Sequence, residues 1–132
     1  MLLKPRKTEL NQQAIVYRHF NDEVEGKITL DEDLGTTKVI SKYELNKYYR
    51  YMSFDYVITS DESTTQVQYI KGLQVEETIL DIKYYNDELG LLHTNDLVLI
   101  GGRLYQVEEP TRTKKRMPKP YYVYTCTLKS IL

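Results

Sequence analysis

The chain has 132 residues, 41% of them apolar and 28% charged, with a formal net charge of −1. That length and mix suit one globular domain with a single hydrophobic core, spanning residues 1–132. The near-neutral balance excludes a polycation that seeks nucleic acid with its whole surface, so any electrostatic role must come from local asymmetry.

Thirteen tyrosines stand beside two phenylalanines and no tryptophan. Tyrosine suits strands and half-buried surfaces, because its ring packs while its hydroxyl stays wet, and it is over-used at protein–protein interfaces. The single cysteine, Cys126, excludes an intramolecular disulfide and a multi-cysteine zinc site. Met1-Leu2-Leu3-Lys4-Pro5 lacks the apolar core of a signal peptide, and no apolar run is long enough for a membrane span. The expectation is a soluble protein in a reducing compartment, with no membrane partner.

Residues 1–12 are polar and carry Lys4, Arg6 and Lys7, which predicts an arm. Ala14 to Arg18 is a first strand. Asn21 to Asp33 holds Asp22, Glu23, Glu25, Asp31, Glu32 and Asp33 against Lys27, the density of a solvated loop or hairpin edge, with Lys27-Ile28-Thr29-Leu30 as a short strand inside it. Tyr48 to Thr59 alternates with period two, Tyr48, Met52, Phe54, Tyr56 and Ile58 sharing one parity interrupted by Arg50. Ser60 to Ser63 breaks this strand, and Thr64 to Ile70 resumes a strand pattern, so a hairpin is expected there.

The second half is sharper. Ile79 to Tyr85 alternates, with Leu80, Ile82 and Tyr84 on one face. Asn86 to Asp96 is a connector in which Asp87-Glu88-Leu89-Gly90 forms at most one helical turn. Gly101-Gly102, between Leu97–Ile100 and Arg103–Val107, is the signature of a two-residue hairpin, because its turn types need positive φ. That register sets Val98 opposite Tyr105 and Leu99 opposite Leu104. The last strand, Tyr121 to Leu128, puts Tyr122, Tyr124, Cys126 and Leu128 on one parity. Between these strands, residues 108–120 read as a long basic loop holding Arg112, Lys114, Lys115, Arg116 and Lys119, with Pro110, Pro118 and Pro120 keeping it out of the sheet. The fold class is all-β: a small antiparallel barrel or sandwich with long loops.

Catalytic chemistry finds little to work with. His19 and His93 lack any metal-ligand spacing, and Cys126 reads as a small buried hydrophobe rather than a nucleophile. Asp31-Glu32-Asp33 lacks the spacing of a calcium loop. No Lys-Ser/Thr follows Gly101-Gly102, so turn chemistry outweighs a phosphate loop. No enzyme, no cofactor and no metal is expected. The basic loop is the candidate partner site: its bland reading is solubility, and its functional reading is contact with an acidic protein surface or, without sequence preference, with DNA phosphates. Tyr121 and Tyr122 at its base are candidates for base stacking.

The run Ile79-Leu80-Asp81-Ile82-Lys83-Tyr84, the connector, the Leu97–Val107 hairpin, the loop and the final strand together resemble the head-closure, or head–tail adaptor, proteins of long-tailed phages. Lys83-Tyr84 stands where that family favours Arg-Tyr, Tyr105 and Val107 stand for its Tyr and Ile, and Cys126 falls near its terminal cysteine. The resemblance covers about residues 75–130; the family's Trp-Ala strand has no counterpart in the first half. It implies a small β-barrel that assembles as a homo-oligomeric ring beneath the portal, seals the DNA-filled head and docks the tail. The protein would then be a virion component made in the host bacterial cytoplasm, with portal or adaptor and tail proteins as partners. The acidic segment and the basic loop could meet between neighbours in such a ring. The alternatives are another neck or tail ring component, such as a tail terminator, and a small barrel binding nucleic acid through the basic loop.

Overall fold

The structure, a computed structural model, describes residues 12–20, 26–35, 39–40, 43–59, 64–70 and 73–131. Its strands are β1 (Gln12–His19), β2 (Val39–Ile40), β3 (Tyr43–Glu44), β4 (Tyr48–Ile58), β5 (Thr64–Ile70), β6 (Leu73–Tyr84), β7 (Leu97–Ile100), β8 (Arg103–Lys115) and β9 (Tyr121–Ser130). A helix, α1 (Leu30–Leu34), and a 3₁₀ turn at Leu45–Lys47 complete the elements. Six strands pair antiparallel in the order β4-β1-β7-β8-β9-β6, and β6 pairs back to β4, so the sheet closes as a barrel. Closure leaves these strands few bare edges, which is how small β proteins avoid edge-to-edge aggregation.

Period-two alternation fills the interior. Ala14, Val16, Phe54, Tyr56, Leu80, Ile82, Tyr84, Val98, Tyr105, Val107, Tyr124, Cys126 and Leu128 are buried in one cluster, and burying each large apolar side chain contributes about 1.5–3 kcal/mol. Leu89 and Leu92 from the connector join that cluster. The Tyr84 hydroxyl fixes them there: it donates to the Gly90 carbonyl at 2.7 Å and accepts the Leu92 N–H at 3.2 Å. Tyr84 also stacks on Tyr124, with ring centroids 5.2 Å apart. Interior burial, with Cys126, Tyr124 and Asp96 nearby, pushes the Tyr84 phenol well above its ordinary range.

A second core lies on the outer wall, where Tyr17, Leu30, Leu45, Tyr48, Leu97 and Leu104 pack under α1 and the 3₁₀ turn. Tyr48 therefore leaves the parity expected for it. Val16 pairs with Met52 while Tyr17 pairs with Arg50, so Tyr51 is an extra residue in a β-bulge, and the alternation of β4 inverts across it. The expected interruption at Arg50 is this bulge.

Three further expectations need correction. Lys27 to Leu30 is not a strand: Thr29 makes one bridge to Tyr49 and then caps α1. The Glu32 carboxylate accepts the Thr29 N–H at 3.3 Å, half of a capping box, and Gly35 ends the helix at φ 69°. Next, β4 and β5 do not form a hairpin. Both pair antiparallel with β6, at Val57↔Lys83 and Ile58↔Ile82 for β4 and from Thr64↔Ile79 to Ile70↔Leu73 for β5, so they run in the same direction along one track. The partner β5 folds back on is β6, which begins six residues earlier than its alternation suggests. Finally, residues 108–115 belong to β8 and not to a loop. The expected arm, apart from Gln12, lies outside the described residues, as do Asp22, Glu23, Glu25 and the Ser60–Ser63 break.

Candidate functional site

The five basic residues singled out from the sequence sit on a β-ribbon. β8 and β9 stay paired from Thr111↔Thr125 to Lys115↔Tyr121, so Arg112, Lys114 and Lys115 are strand residues, and only residues 116–120 form the tip. Pro110 does not exclude this segment from the sheet because a bulge absorbs it. Glu108 pairs with Thr127 and Thr111 with Thr125, leaving Glu109 and Pro110 opposite Cys126, with Glu109 at φ 49°. Pro118, preceded by a cis bond, and Pro120 fall in or beside the tip.

Register decides what each cation meets. Arg112 lies opposite Tyr124 and Lys114 opposite Tyr122, on the parity that continues the barrel interior outward. The Arg112 guanidinium covers the Tyr122 ring at 4.7 Å, a cation–π contact of about 0.5–1 kcal/mol at an exposed site. Lys115 lies opposite Tyr121, whose ring centroid is 6.1 Å from that of Tyr85. Both candidate stacking rings thus already have partners within the chain. Residues 111–120 are all exposed, Met117 at the tip to 74%. Among the described residues none of the five cations is in an ion pair. The ribbon presents five positive charges, with Met117 exposed at its tip, to whatever it meets. Lysine on a protruding strand also keeps its free edge from pairing at random, a structural role that the same residues fill.

The acidic segment offers less than its composition suggested. The Asp33 carboxylate accepts from the Tyr17 hydroxyl at 2.5 Å and from Arg50 Nε at 2.9 Å, Asp31 accepts from the Thr29 hydroxyl, and Glu32 serves the helix cap. Asp33 ties α1 to the barrel wall, and Asp31 and Glu32 hold the helix's own N-terminal cap. Gly101 and Gly102 form the β7–β8 turn at φ 56° and 81°, with Val98 opposite Tyr105 and Leu99 opposite Leu104, as the sequence predicts. His19 is exposed and packs edge-on to Tyr48, and His93 is exposed. Cys126 is buried, and burial, with Asp81 nearby, pushes its thiol up to about 12. No group of three metal-ligating side chains occurs among the described residues. A polar recess of about 240 Å³ beside the bulge is lined by Thr59, Asp81, Thr111, Thr125 and Thr127. Its side chains pair with one another: Thr127 donates to Asp81 at 2.8 Å, and the Thr111 and Thr125 hydroxyls lie 3.1 Å apart.

One arrangement gave no sequence signal. Asp96, 1% exposed, is bridged by Arg18 Nε at 3.3 Å and accepts the His93 N–H at 2.9 Å, while the Arg18 guanidinium covers Tyr51 at 4.0 Å. Burial raises the Asp96 carboxyl above its ordinary range despite those partners. Arg18 and Asp96 are 78 positions apart, and only the β1–β7 pairing brings them together.

Comparison with protein-family models, with curated proteins and with solved structures returns no significant match.

Proposed function

We propose that the chain is a non-enzymatic phage virion assembly protein, a head-closure or head–tail connector subunit that joins portal and tail as one copy in a ring. The observation that carries this reading is the basic ribbon of β8 and β9, which extends from a closed barrel in the region whose sequence resembles head-closure proteins. A small barrel with a packed interior supplies a rigid body, and the exposed ribbon supplies a contact that can order against a partner. The five exposed cations suit an acidic face on a portal or tail protein.

Purified protein is expected to form rings by negative-stain microscopy, to bind isolated portal or tail components, and to be present in virions by mass spectrometry. A strictly monomeric protein that binds neither and is absent from particles overturns the proposal. Particle phenotype separates head closure from tail termination: loss of closure leaves heads that leak DNA, and loss of termination gives aberrant tails. The same ribbon supports a second reading, contact with DNA phosphates, because residues 111–120 contain no acid. That reading expects DNA affinity with a steep salt slope that neutralising the five cations removes.

A further inference from the structure

Among the described strands β5 pairs only with β6, so its second edge offers a row of backbone donors and acceptors. From Thr64 to Ile70 it carries no lysine, proline or bulge, the devices that ordinarily guard such an edge, and Lys71 falls beyond its end. Two hydrogen bonds fix which of its groups are open. The Asp81 carbonyl accepts the Thr59 N–H, so Asp81 faces the edge of β6 that β4 and β5 share. The Thr78 N–H points the other way, to the Ser130 hydroxyl on β9. Backbone groups alternate in direction along a strand, so Ile79, Glu77 and Val75 face Thr64, Gln66 and Gln68. Thr65, Val67 and Tyr69 then turn their N–H and C=O groups to the open side.

The start of β1 is aimed at this edge. β1 is antiparallel to β4, and β4 and β5 run in the same direction along β6. A straight continuation of β1 toward lower numbers passes the end of β4 and runs antiparallel beside β5. Eleven residues precede Gln12, and they lie outside the described residues. We infer that this segment, residues 2–9, is the strand that covers the open edge of β5 in the same copy.

Register and backbone direction agree on this occupant. Gln12 pairs with Tyr56, which sets Leu10 level with Ile58. Ile58 pairs with Ile82 and Thr64 with Ile79, three steps further along β6, which sets Lys7 level with Thr64, Arg6 with Thr65 and Lys4 with Val67. Thr59 faces β6, so Tyr56 faces β1, and Gln12 faces it in return. Even-numbered residues before Gln12 share that direction, so Arg6 and Lys4 meet the open groups of Thr65 and Val67. Pro5 falls level with Gln66, in the outward phase, where its missing N–H leaves nothing unpaired. With the segment seated, Lys4, Pro5, Arg6 and Lys7 form the outer edge and supply the guards that β5 lacks. The contact is independent of the ring-subunit reading, which stands if it fails.

The test is amide hydrogen exchange by NMR on the full chain, with Gln66 and Gln68, which face β6, as the reference. In the unmodified protein the amides of Thr65, Val67 and Tyr69 are expected to be protected alongside them, equally at low and high protein concentration. Arg6→Pro removes an N–H that faces β5 and is expected to speed exchange at Thr65, Val67 and Tyr69 by about tenfold. Lys7→Pro removes one that faces outward and is expected to leave their exchange unchanged. Rapid exchange of these three amides in the unmodified protein overturns the inference, as does protection that survives Arg6→Pro. Protection that grows with concentration, the mark of a second copy on the edge, also overturns it, and so does an equal loss in both variants.

Discussion

Asp33 lies on the outer wall of the barrel, between the Tyr17 hydroxyl and the Arg50 guanidinium. Removal from water pushes its carboxyl up, but the hydrogen bonds from Arg50 and Tyr17, together with the Arg50 charge, outweigh that and hold it below the usual carboxylate range. A group lowered in the folded state contributes stability that is complete above its unfolded value, about pH 4, and is lost as pH falls through the folded one. Asp96 has the opposite sign: raised by burial, it contributes stability that is complete below the unfolded value and lost as pH rises through the folded value. Urea unfolding of Asp33→Asn beside the unmodified protein checks the first case. The variant is expected to be less stable at pH 6, with the gap shrinking steadily toward pH 3. A gap that stays constant with pH would assign the effect to packing rather than to charge.

Among the elements, the β7–β8 hairpin was legible in the sequence down to its register because two adjacent glycines admit few turn geometries. The buried parities of β6 and β9 were legible for a similar reason: one face is wet and the other dry. Strand partners were not legible, because alternation tells which face is buried and not which neighbour pairs along the edge. Ser60 to Ser63 reads the same whether the chain reverses or continues along β6. The extent of β8 is not legible because a proline ordinarily ends pairing, whereas Glu109 and Pro110 fit into a bulge. For α1 the signal was present in Thr29–Glu32 and in Leu30 and Leu34 four apart, but the surrounding acids masked it. Turn and bulge make one comparison. Gly102→Ala is expected to cost about 1–2 kcal/mol, since an L side chain is strained at φ 81°. Glu109→Gly, relieving the same kind of strain at φ 49°, is expected to be neutral or stabilising by up to about 1 kcal/mol. Chemical denaturation measures both.

At the scale of the whole molecule the barrel is closed unevenly. β8 and β9 pair along most of their length, whereas β4 meets β6 only at Val57↔Lys83 and Ile58↔Ile82, with the Thr59 N–H donating to the Asp81 carbonyl at 2.8 Å beside them. Local opening begins where few bonds must break together. Native-state hydrogen exchange is expected to show the amides of Val57, Ile58 and Thr59 exchanging before those of the β6–β9 ladder. Equal protection in both places would mean that the seam is held by more than these pairs. The interior has a different consequence. Tyr56, Tyr84, Tyr105 and Tyr124 fill the barrel, and Leu89 and Leu92 pack into it from the connector. Nothing as wide as a nucleic acid strand can thread a single subunit, so any conduit in an assembly of these chains must be walled by several outer surfaces and run between copies.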